Sequence, residues 1–508
     1  MLEVYNNKII VKDQLTSLRL IPLLTFNDKE EGEIFNAYEL KSPEEMMIPK
    51  GYLEFLPDSI PRVDKTVTEI PEIDTNNLEG ILDGITLRDD QVIAVTKMTK
   101  VRRGIVQLAT GAGKTECMSA FLKNFYDKMG YYPKTLILEP TLHLVESTVN
   151  RMQKYGIPAI EYSKCRGVIE GVVITHPMSL NNDIKKDKSL LSDVKVFLTD
   201  ECHRMSADTW RSLIEHMDNV EFVLGVSASA IYPTKVPVKE LSTLTVDELK
   251  IVGATGNVIL DIPPSYYISK GILATPVLLR VNHEARERVP EFHNNWHLIA
   301  KKVLQSPDRT RKISEIGSYF ASSGFKTLIL VATKVHAYDM LRYIGKLGLA
   351  DKCRASFGGG EYYRYDPEKD KQVKCKKTDN VFKGFESGEF SILIGTSHIY
   401  EGMDVPNLDT VILASPGKNV RRIIQGIGRA IRKSKTGKYA YVVDFTDHTH
   451  PVLARHSLTR AKICRDIIGV PEQNIYGGLS VSQLKHIVMS LEIDHFNNII
   501  KEESSNGN

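Results

Sequence analysis

The feature that most constrains the fold of this chain is an alternation of short apolar segments with stretches long enough for a helix. From Leu87 onward, five such segments follow one another: GIVQLA, TLILEP, VVITHP, KVFLTDE and FVLGVSAS. Short β-branched strands separated by helices are typical of a parallel sheet that helices cover on both faces. A second series begins near Lys326 with TLILVAT and continues with SILIGTS, TVILASP and YAYVVDF. The sequence therefore predicts two parallel α/β domains in tandem.

The two ends of the chain show different patterns. The first 60 residues contain short alternating segments such as KIIVKD and GYLEFLP, and an acidic, proline-containing connector follows. After Asp447 the pattern becomes helical. With 508 residues, of which 42% are hydrophobic, the chain can bury several cores. We therefore expect an N-terminal α+β accessory domain with its linker, two α/β domains and a helical C-terminal extension, at residues 1–83, 84–278, 279–450 and 451–508.

Charge is unevenly distributed along the chain. The net charge is only +3, but residues 1–83 carry 8 basic and 17 acidic side chains. The remaining residues carry 58 basic and 46 acidic side chains. If a polyanion binds, we expect the later part of the chain to supply most of the contacts.

The cysteine spacing and the hydropathy of the chain indicate the cellular compartment in which the protein acts. The six cysteines are scattered without any CxxC pair, so neither a zinc site nor a disulfide framework is indicated. No run of residues approaches the ~18 apolar residues of a membrane span, and the first residues lack the basic-then-apolar order of a signal peptide. These observations predict a protein of the cytoplasm that does not act in a membrane.

The strongest local signal is the segment LATGAGKT, Leu108–Thr115, directly after the first predicted strand of the α/β series. Such a turn brings backbone N–H groups close to phosphate oxygens, which requires glycines, and the next helix presents its positive end. The loop proper comprises these residues: Thr110, Gly111, Ala112, Gly113, Lys114 and Thr115. Lys114 is expected to reach the β and γ phosphates of ATP, and the Thr115 hydroxyl to bind Mg²⁺. A glycine-rich turn beside a surface lysine is the alternative.

A second signal follows the predicted strand KVFLT. Asp200 and Glu201 are adjacent carboxylates at the carboxyl end of a parallel strand, where ligands of such sheets bind. This arrangement suits a Mg²⁺ ligand, Asp200, followed by a base, Glu201, that orients the attacking water. Capping of a helix start is the alternative role for both side chains.

With these motifs in place, the chain from Leu87 to Phe445 resembles superfamily 2 helicases and translocases of the DExH type, which have two RecA-like domains. LRDDQ resembles the adenine-recognising segment of that family, with Gln91 as the base reader. EPTLHLVES and ITHPMSL resemble its nucleic-acid motifs. That resemblance implies DNA contacts at Pro140, Thr141 and Thr175. SAS, at Ser227–Ser229, resembles the segment that links hydrolysis to DNA movement.

The resemblance continues through the second α/β domain. VATKVHAYDML and GTSHIYEGMDVP imply that Thr333 and Thr396 contact nucleic acid and that Gly402 and Asp404 face the nucleotide. QGIGRAIR implies nucleotide contact by Gln425 and catalytic roles for Arg429 and Arg432. Arginines of this kind neutralise charge on the γ-phosphate, an effect of about 10³- to 10⁵-fold on rate. A solvated basic helix face is the alternative.

Within the superfamily, the chain most resembles the phage recombination helicases that remodel forks and Holliday junctions. That resemblance implies an ATP-dependent DNA helicase with 3′ to 5′ movement, acting on branched DNA without sequence specificity. We expect a monomer whose partners include recombination or replication proteins. The alternatives are a duplex translocase or ATP-gated assembly factor without strand separation, and an RNA helicase.

Two accessory segments leave their roles open. MMIPKGYLEFLP, at residues 46–57, resembles the segment preceding the motor in recombination and repair relatives, where duplex or branch recognition is expected. The acidity of the N-terminal domain argues against broad phosphate contact, so a packing or protein-docking role is given equal weight. The insertion EYYRYDPEKDKQVKCKK, at residues 361–377, mixes tyrosines with six basic and four acidic residues. It favours a solvated mobile loop over a surface that stacks on bases.

Overall fold

The structure is a computed structural model. It describes residues 1–27, 34–42, 44–232, 237–284, 296–357, 361–375, 381–396, 399, 408–414, 417, 419–431 and 439–505. The chain divides into two compact units, Met1–Ile262 and Pro263–Asn508. Each unit is described by itself.

A five-stranded sheet opens the first unit. Its strands lie in the order Glu39–Ser42, Glu45–Pro49, Lys8–Val11, Leu2–Val4 and Arg62–Asp64, and only the last pair is parallel. Buried residues alternate along the three central strands, Glu45–Pro49, Lys8–Val11 and Leu2–Val4, so that one face of the sheet is buried there. The helix Gln14–Leu20 begins at Asp13, whose carboxylate accepts the backbone N–H of Thr16. A small hairpin, Thr25–Asn27 and Ile34–Asn36, accompanies the sheet. The predicted N-terminal α+β region is confirmed.

The rest of the first unit is a seven-stranded, fully parallel sheet. The strand order is Ala159–Glu161, Val172–Thr175, Thr135–Leu138, Val196–Asp200, Phe222–Ser227, Arg103–Leu108 and Val258–Ile262. All five predicted strands are present, and their near-continuous burial explains the unbroken apolar runs in the sequence. The main helices are Asp89–Val101, Lys114–Met129, Leu142–Lys154, Pro177–Lys186 and Val246–Thr255.

A nine-stranded sheet forms the core of the second unit. Its order is Lys371–Lys374, Glu361–Asp366, Cys353–Phe357, Ile392–Gly395, Thr327–Leu330, Thr410–Leu413, Tyr439–Asp447, Thr275–His283 and Ile475–Leu479. The last seven strands are parallel to one another. The four predicted strands of the second series are all present. The longer helices are Pro307–Ser322, Lys334–Ile344, Val381–Ser387, Val420–Ala430, Pro451–Ile463 and Val481–Ser505.

The second sheet extends beyond its expected limits at both ends of the unit. The strand Thr275–His283 pairs along its whole length with Tyr439–Asp447, so the sheet begins before the expected boundary at residue 279. The strand Ile475–Leu479 lies within the C-terminal extension and pairs with Thr275–His283. The extension is therefore helical apart from one edge strand, which ties it to the core of this unit.

The insertion at residues 361–377 forms a hairpin as far as the structure describes it, and the expectation of a mobile loop is wrong for these residues. Glu361–Asp366 pairs antiparallel with both Cys353–Phe357 and Lys371–Lys374. Tyr365 is buried, and its hydroxyl donates to Asp370 Oδ1 at 2.6 Å. The insertion therefore extends the sheet edge.

The tyrosines of this hairpin are engaged in packing. The ring of Tyr363 packs edge-on against Tyr338, with centroids 5.3 Å apart. Lys334 and Lys374 both pair with Glu361, at 2.6 and 3.1 Å. Tyr363 and Tyr365 thus support the hairpin itself, which weakens the case for base stacking.

The N-terminal segment Lys50–Phe55 packs closely on the helix Val246–Thr255. A Cβ atom added to Gly51 would lie 2.0 Å from the carbonyl oxygen of Val252. The hydroxyl of the buried Tyr52 donates to the carbonyl oxygen of Leu249 at 2.6 Å. This contact supports the packing role for the segment.

No helix in the described parts of the chain is long and apolar enough to cross a membrane.

Candidate nucleotide site

The loop LATGAGKT joins the strand Arg103–Leu108 to the helix Lys114–Met129. Gly111 and Gly113 have φ values of +85° and +89°, a region that side chains with a Cβ rarely adopt. A Cβ at Gly113 would also lie 2.2 Å from Nε2 of Gln91. Both glycines are thus required by the shape of the loop, as a phosphate cradle at a helix N-terminus demands.

The segment LRDDQ lies directly against this loop. Gln91 Nε2 donates to the carbonyl oxygen of Ala112 at 3.3 Å, while Gln91 Oε1 accepts the backbone N–H of Arg88 at 3.0 Å. Arg88 also donates to the carbonyl oxygen of Ala112, at 2.5 Å, and pairs with Asp90 at 2.9 Å. The structure therefore places Gln91 beside the cradle. Sequence reasoning missed Arg88, which braces the loop.

The two carboxylates lie at the same sheet edge as the loop. Asp200 ends the strand Val196–Asp200, and one strand, Phe222–Ser227, separates it from Arg103–Leu108. Lys114 Nζ lies 2.8 Å from Glu201 Oε1 and 3.6 Å from Asp200 Oδ1. Glu201 has a φ of +49°, which is unusual for a residue other than glycine and is often found at functional sites.

Burial and mutual attraction set the ionisation of this cluster. Burial raises the pKa of Asp200, and the attraction of Lys114 offsets this only in part. Burial opposes the charge on Glu201, but Lys114 and His203 hold the pKa of Glu201 well below its usual range. Burial likewise opposes the charge on Lys114, but Asp200 and Glu201 raise the pKa of Lys114 above its ordinary value. A lysine cation therefore pairs with an ionised Glu201.

Two further side chains hold the second oxygen of Glu201. The Ser227 hydroxyl donates to Glu201 Oε2 at 3.2 Å, and His203 Nδ1 lies 3.3 Å from the same oxygen. His203 Nδ1 and Ser227 Oγ are 3.3 Å apart, and the backbone N–H of Ser229 donates to Ser227 Oγ at 3.2 Å. The segment SAS and the segment DECH, which is Asp200–His203, therefore meet at Glu201 and fix its orientation.

A buried carboxyl that sequence reasoning missed lies next to this cluster. Glu139 is fully buried, and its Oε1 accepts the hydroxyl proton of Thr148 at 2.7 Å. Burial and the nearby charge of Asp200 raise the pKa of Glu139 well above its usual range. The available signal was a charged residue at the end of the apolar run TLIL. Glu139 connects the sheet edge that carries Asp200 to the helix Leu142–Lys154, which carries Thr148.

The predicted DNA-contacting residues of the first unit lie at this same edge. Pro140 and Thr141 follow the strand Thr135–Leu138, and Thr175 ends its neighbour Val172–Thr175. Thr141 Oγ1 accepts the backbone N–H of Leu144 at 3.3 Å and so caps the helix Leu142–Lys154. Thr175 is only 2% exposed, and its hydroxyl donates to the carbonyl oxygen of His176 at 3.2 Å.

In the second unit, the predicted DNA-contacting threonines also follow the carboxyl ends of parallel strands. Thr333 follows the strand Thr327–Leu330, and its Oγ1 accepts the backbone N–H of His336 at 3.2 Å at the start of the next helix. Thr396 follows Ile392–Gly395, the parallel neighbour of that strand. Both threonines thus lie at the carboxyl edge of their sheet.

Gln425 and Arg429 lie on the helix Val420–Ala430 and are 8% and 7% exposed. Asn419 Oδ1 accepts the backbone N–H of Arg422 at 3.1 Å and caps this helix. The other predicted nucleotide residues of this unit, Gly402, Asp404 and Arg432, lie outside the described residues. A composite site that joins Arg429 to Lys114 stays a prediction.

Two family models match the chain. The model described as "Type III restriction enzyme, res subunit" matches residues 84–231, which contain the phosphate loop and the DECH and SAS segments. The model described as "Helicase conserved C-terminal domain" matches residues 311–434, which contain Thr333 and Arg429. The chain belongs to superfamily 2 of the helicases. The family expected from the motifs is therefore confirmed.

Curated relatives of this superfamily 2 member are distant in sequence. The chain is 24% identical over 391 residues to the putative ATP-dependent helicase IRC3 of Saccharomyces cerevisiae, covering 71% of this chain and 51% of IRC3. It is 24% identical over 361 residues to the ATP-dependent DNA helicase uvsW of Enterobacteria phage T4, covering 68% and 65% respectively. The chain thus spans between half and two thirds of the length of these relatives.

Solved structures confirm the fold of this superfamily 2 member. A fragment of a putative HsdR subunit of a type I restriction enzyme from Vibrio vulnificus YJ016 superposes with a TM-score of 0.53 at 19% identity. The match covers 76% of this chain and 67% of that fragment. The two parallel sheets are RecA-like domains, as expected.

Proposed function

We propose that this protein is an ATP-dependent DNA helicase that translocates on DNA and remodels branched DNA, namely forks and Holliday junctions. The observation that carries the proposal is the cluster of Lys114, Asp200 and Glu201 at the sheet edge that also holds Thr141 and Thr175. The names of IRC3 and uvsW, an ATP-dependent helicase and an ATP-dependent DNA helicase, support the same activity. Recombination, repair or replication is the process in which such an activity operates.

The residues of the cluster fit a Mg²⁺-bound triphosphate. Gly111 and Gly113, with φ values of +85° and +89°, give the loop the shape in which backbone N–H groups can approach phosphate oxygens. Thr115 and Asp200 would hold Mg²⁺, which shields phosphate charge when bound. Lys114 pairs with Glu201 in this structure and would exchange that partner for the β and γ phosphates. Glu201 then becomes free to orient water and accept its proton.

The threonines and helix starts at the sheet edges would hold the DNA backbone. Short hydroxyls and backbone N–H groups contact phosphates without reading bases, so binding is independent of sequence and weakens with salt. Arg429 and Arg432 would complete the site when the two domains close on ATP, and hydrolysis would release that grip. Gln91, Gly402, Asp404 and Gln425 would contact the nucleotide. Alternating grip by Thr141 and Thr175 of the first domain and by Thr333 and Thr396 of the second would then produce stepwise movement, with 3′ to 5′ polarity.

The setting of this activity is also a proposal. We propose that the protein acts as a monomer in the cytoplasm, which would be that of the host cell if the protein is viral. None of its six cysteines forms a disulfide, which supports a reducing compartment. Recombination or replication proteins are the proposed partners.

Strand displacement tests the proposal. Fork, four-way-junction and plain tailed-duplex substrates of equal duplex length are compared, with Lys114→Ala as the inactive control. We expect faster ATP-dependent displacement on the branched substrates. Preference for the plain duplex would overturn the branch-specific part. Displacement of a triplex strand without separation of a duplex would identify a duplex translocase, and stimulation by RNA alone would identify an RNA helicase.

A further inference from the structure

A cavity of about 410 Å³ lies between the N-terminal sheet region and the base of the first parallel sheet. Lys50 and Thr68 line one side of it, and Arg103 and Asn257 line the other. Arg103 begins the six-residue strand that leads to the phosphate loop. A strand of that length spans about 20 Å, so the cavity lies at the opposite sheet edge from Lys114.

Two cations line this cavity outside any described ion pair, Lys50 and Arg103. Arg103 donates to the carbonyl oxygens of Ala254 and Asn6, at 2.6 and 3.0 Å. Within the described part of the chain, neither Arg103 nor Lys50 forms an ion pair. Burial and the charge of Arg103 lower the pKa of Lys50 to about 8, and the attraction of Asp64 offsets this only in part. The two cations therefore repel each other in a partly desolvated space, which destabilises the empty cavity.

The other charged residues of the lining are already engaged. Arg102 pairs with Glu221 at 2.8 Å, and Arg62 pairs with Asp58 at 3.1 Å. Glu54 also lines the cavity, and burial raises the pKa of its carboxyl. Lys50 and Arg103 thus remain the cations of the lining that no described carboxylate holds in an ion pair.

Backbone packing holds both cations in place. The close approach of Gly51 to the carbonyl oxygen of Val252 fixes the segment that carries Lys50. Gly256 has a φ of +90°, and a Cβ there would lie 2.9 Å from Cγ of Arg103. Gly256 therefore leaves the space that the Arg103 stem occupies. The cations belong to a built site in which both positions are determined by packing.

We propose that this cavity binds a phosphate ester through Lys50 and Arg103. A phosphate carries up to two negative charges and several acceptor oxygens, so it can pair with an ammonium and a guanidinium at once. The volume is within the range of small-ligand pockets and admits a sugar or a base beside the phosphate. Such a group is available from the DNA backbone or from a free phosphorylated small molecule.

Thermal unfolding with inorganic phosphate as the probe tests this site. The measurement uses the full chain carrying Lys114→Ala, which removes binding at the phosphate loop. We expect millimolar phosphate, at ionic strength matched with chloride, to raise Tm by about 3 °C. Adding Lys50→Met should remove this shift and raise Tm in phosphate-free buffer, since it removes the repulsion. Adding Lys50→Arg should keep the shift.

Lys100→Met is the matched control, because Lys100 is exposed on the helix Asp89–Val101 of the same unit. It should retain the full phosphate shift. An equal shift in the Lys50→Met and Lys100→Met variants would overturn the proposal. The absence of any phosphate shift in the parent chain would overturn it as well. The phosphate measurement requires no motor activity. A negative result there is therefore distinguishable from failure of the proposed helicase function.

A DNA arm distinguishes the two sources of phosphate ester. Affinity for a fork is measured over a salt series in chains with and without Lys50→Met. If a DNA phosphate occupies the cavity, the variant binds more weakly and its salt slope falls by about one unit. Unchanged DNA binding together with loss of the phosphate shift assigns the cavity to a free phosphorylated molecule. Weakened and unchanged DNA binding both support the proposal. Only an equal Tm shift in the Lys50→Met and Lys100→Met variants, or no phosphate shift in the parent chain, contradicts it.

Discussion

At the scale of single residues, the nucleotide site depends on backbone shape as much as on charge. Gly113→Ala adds a Cβ that would lie 2.2 Å from Gln91 Nε2, at a φ of +89°. We expect this variant to lose nucleotide affinity at least tenfold in equilibrium binding, because Gln91 must leave the loop. Gly130→Ala is the matched control, since Gly130 ends the same helix with a φ of +74° and open space around it.

The Gly130→Ala control separates the effect of backbone strain from the effect of the contact with Gln91. Both alanines adopt a left-handed conformation, which costs about 1 kcal/mol of stability. Only Gly113→Ala also displaces a neighbouring side chain. Equal nucleotide affinity in the two variants would show that the contact between Gly113 and Gln91 does not shape the cradle.

A second residue-scale prediction concerns the hydroxyl that holds Glu201. Ser227→Ala removes the 3.2 Å hydrogen bond to Glu201 Oε2. We expect kcat for ATP hydrolysis to fall about tenfold with little change in KM, because the base is misoriented while ATP still binds. Ser119→Ala is the control, as the buried Ser119 hydroxyl has no hydrogen-bond partner among the described residues. A parallel rise in KM would argue against an orienting role.

The sequence predicted some of these residues and missed others for a physical reason. Lys114, Asp200 and Glu201 belong to local segments whose spacing reports their chemistry directly. Arg88 contacts the carbonyl oxygen of Ala112 in the phosphate loop, and Glu139 contacts Thr148 on the helix that follows its strand. Such contacts arise only when strands and helices pack, so the place of Glu139 after TLIL could mark the residue but not its partner.

At the scale of secondary-structure elements, the alternation of apolar segments with helix-length stretches predicted the central strands of each sheet. It did not predict the strands at the sheet edges. The hairpin that begins at Glu361 reads as a polar, mixed-charge segment, because an edge strand faces solvent on much of its surface. Ile475–Leu479 contains two glycines and follows helices, so its pairing with Thr275–His283 was not predictable from local pattern. The edge strands of this sheet are Lys371–Lys374, the second strand of the hairpin, and Ile475–Leu479, and burial gives its weakest signal for edge strands.

Packing between two helices of the second unit should make stability depend on pH. His336 on Lys334–Ile344 lies 3.2 Å from Thr310 Oγ1 on Pro307–Ser322. Burial lowers the pKa of His336 to about 3. The unfolded chain, with an ordinary histidine pKa of ~6.5, takes up this proton first. His336 thus contributes stability above pH ~6.5 that is lost as pH falls toward 3.

Urea unfolding of the full chain at pH 7 and at pH ~5.5 measures this contribution. We expect the loss of unfolding free energy between these pH values to be about 1 kcal/mol smaller in His336→Gln than in the unmodified chain. His143→Gln, which changes an exposed histidine, should leave that loss unchanged. The same loss in His336→Gln and the unmodified chain would contradict the assigned burial effect.

At the scale of the whole molecule, two wound sheets and the motif order were sufficient to predict the family. Consecutive buried strands dictate parallel pairing, and parallel pairing collects the strand ends, with their loops, at one edge. This explains why Lys114, Asp200 and Thr141 share an edge although they are far apart in sequence. The cavity at the opposite edge was not predictable, because the N-terminal segment and the base of the sheet form it together.

The central claim is that ATP hydrolysis at Lys114 and Glu201 is coupled to branched DNA. The most direct measurement is the stimulation of ATPase activity by a panel of forked, four-way, linear duplex and single-stranded DNA and RNA, with Lys114→Ala as the inactive control. The account predicts the strongest stimulation by forked and four-way DNA and none in Lys114→Ala. Equal hydrolysis with and without every nucleic acid would contradict it.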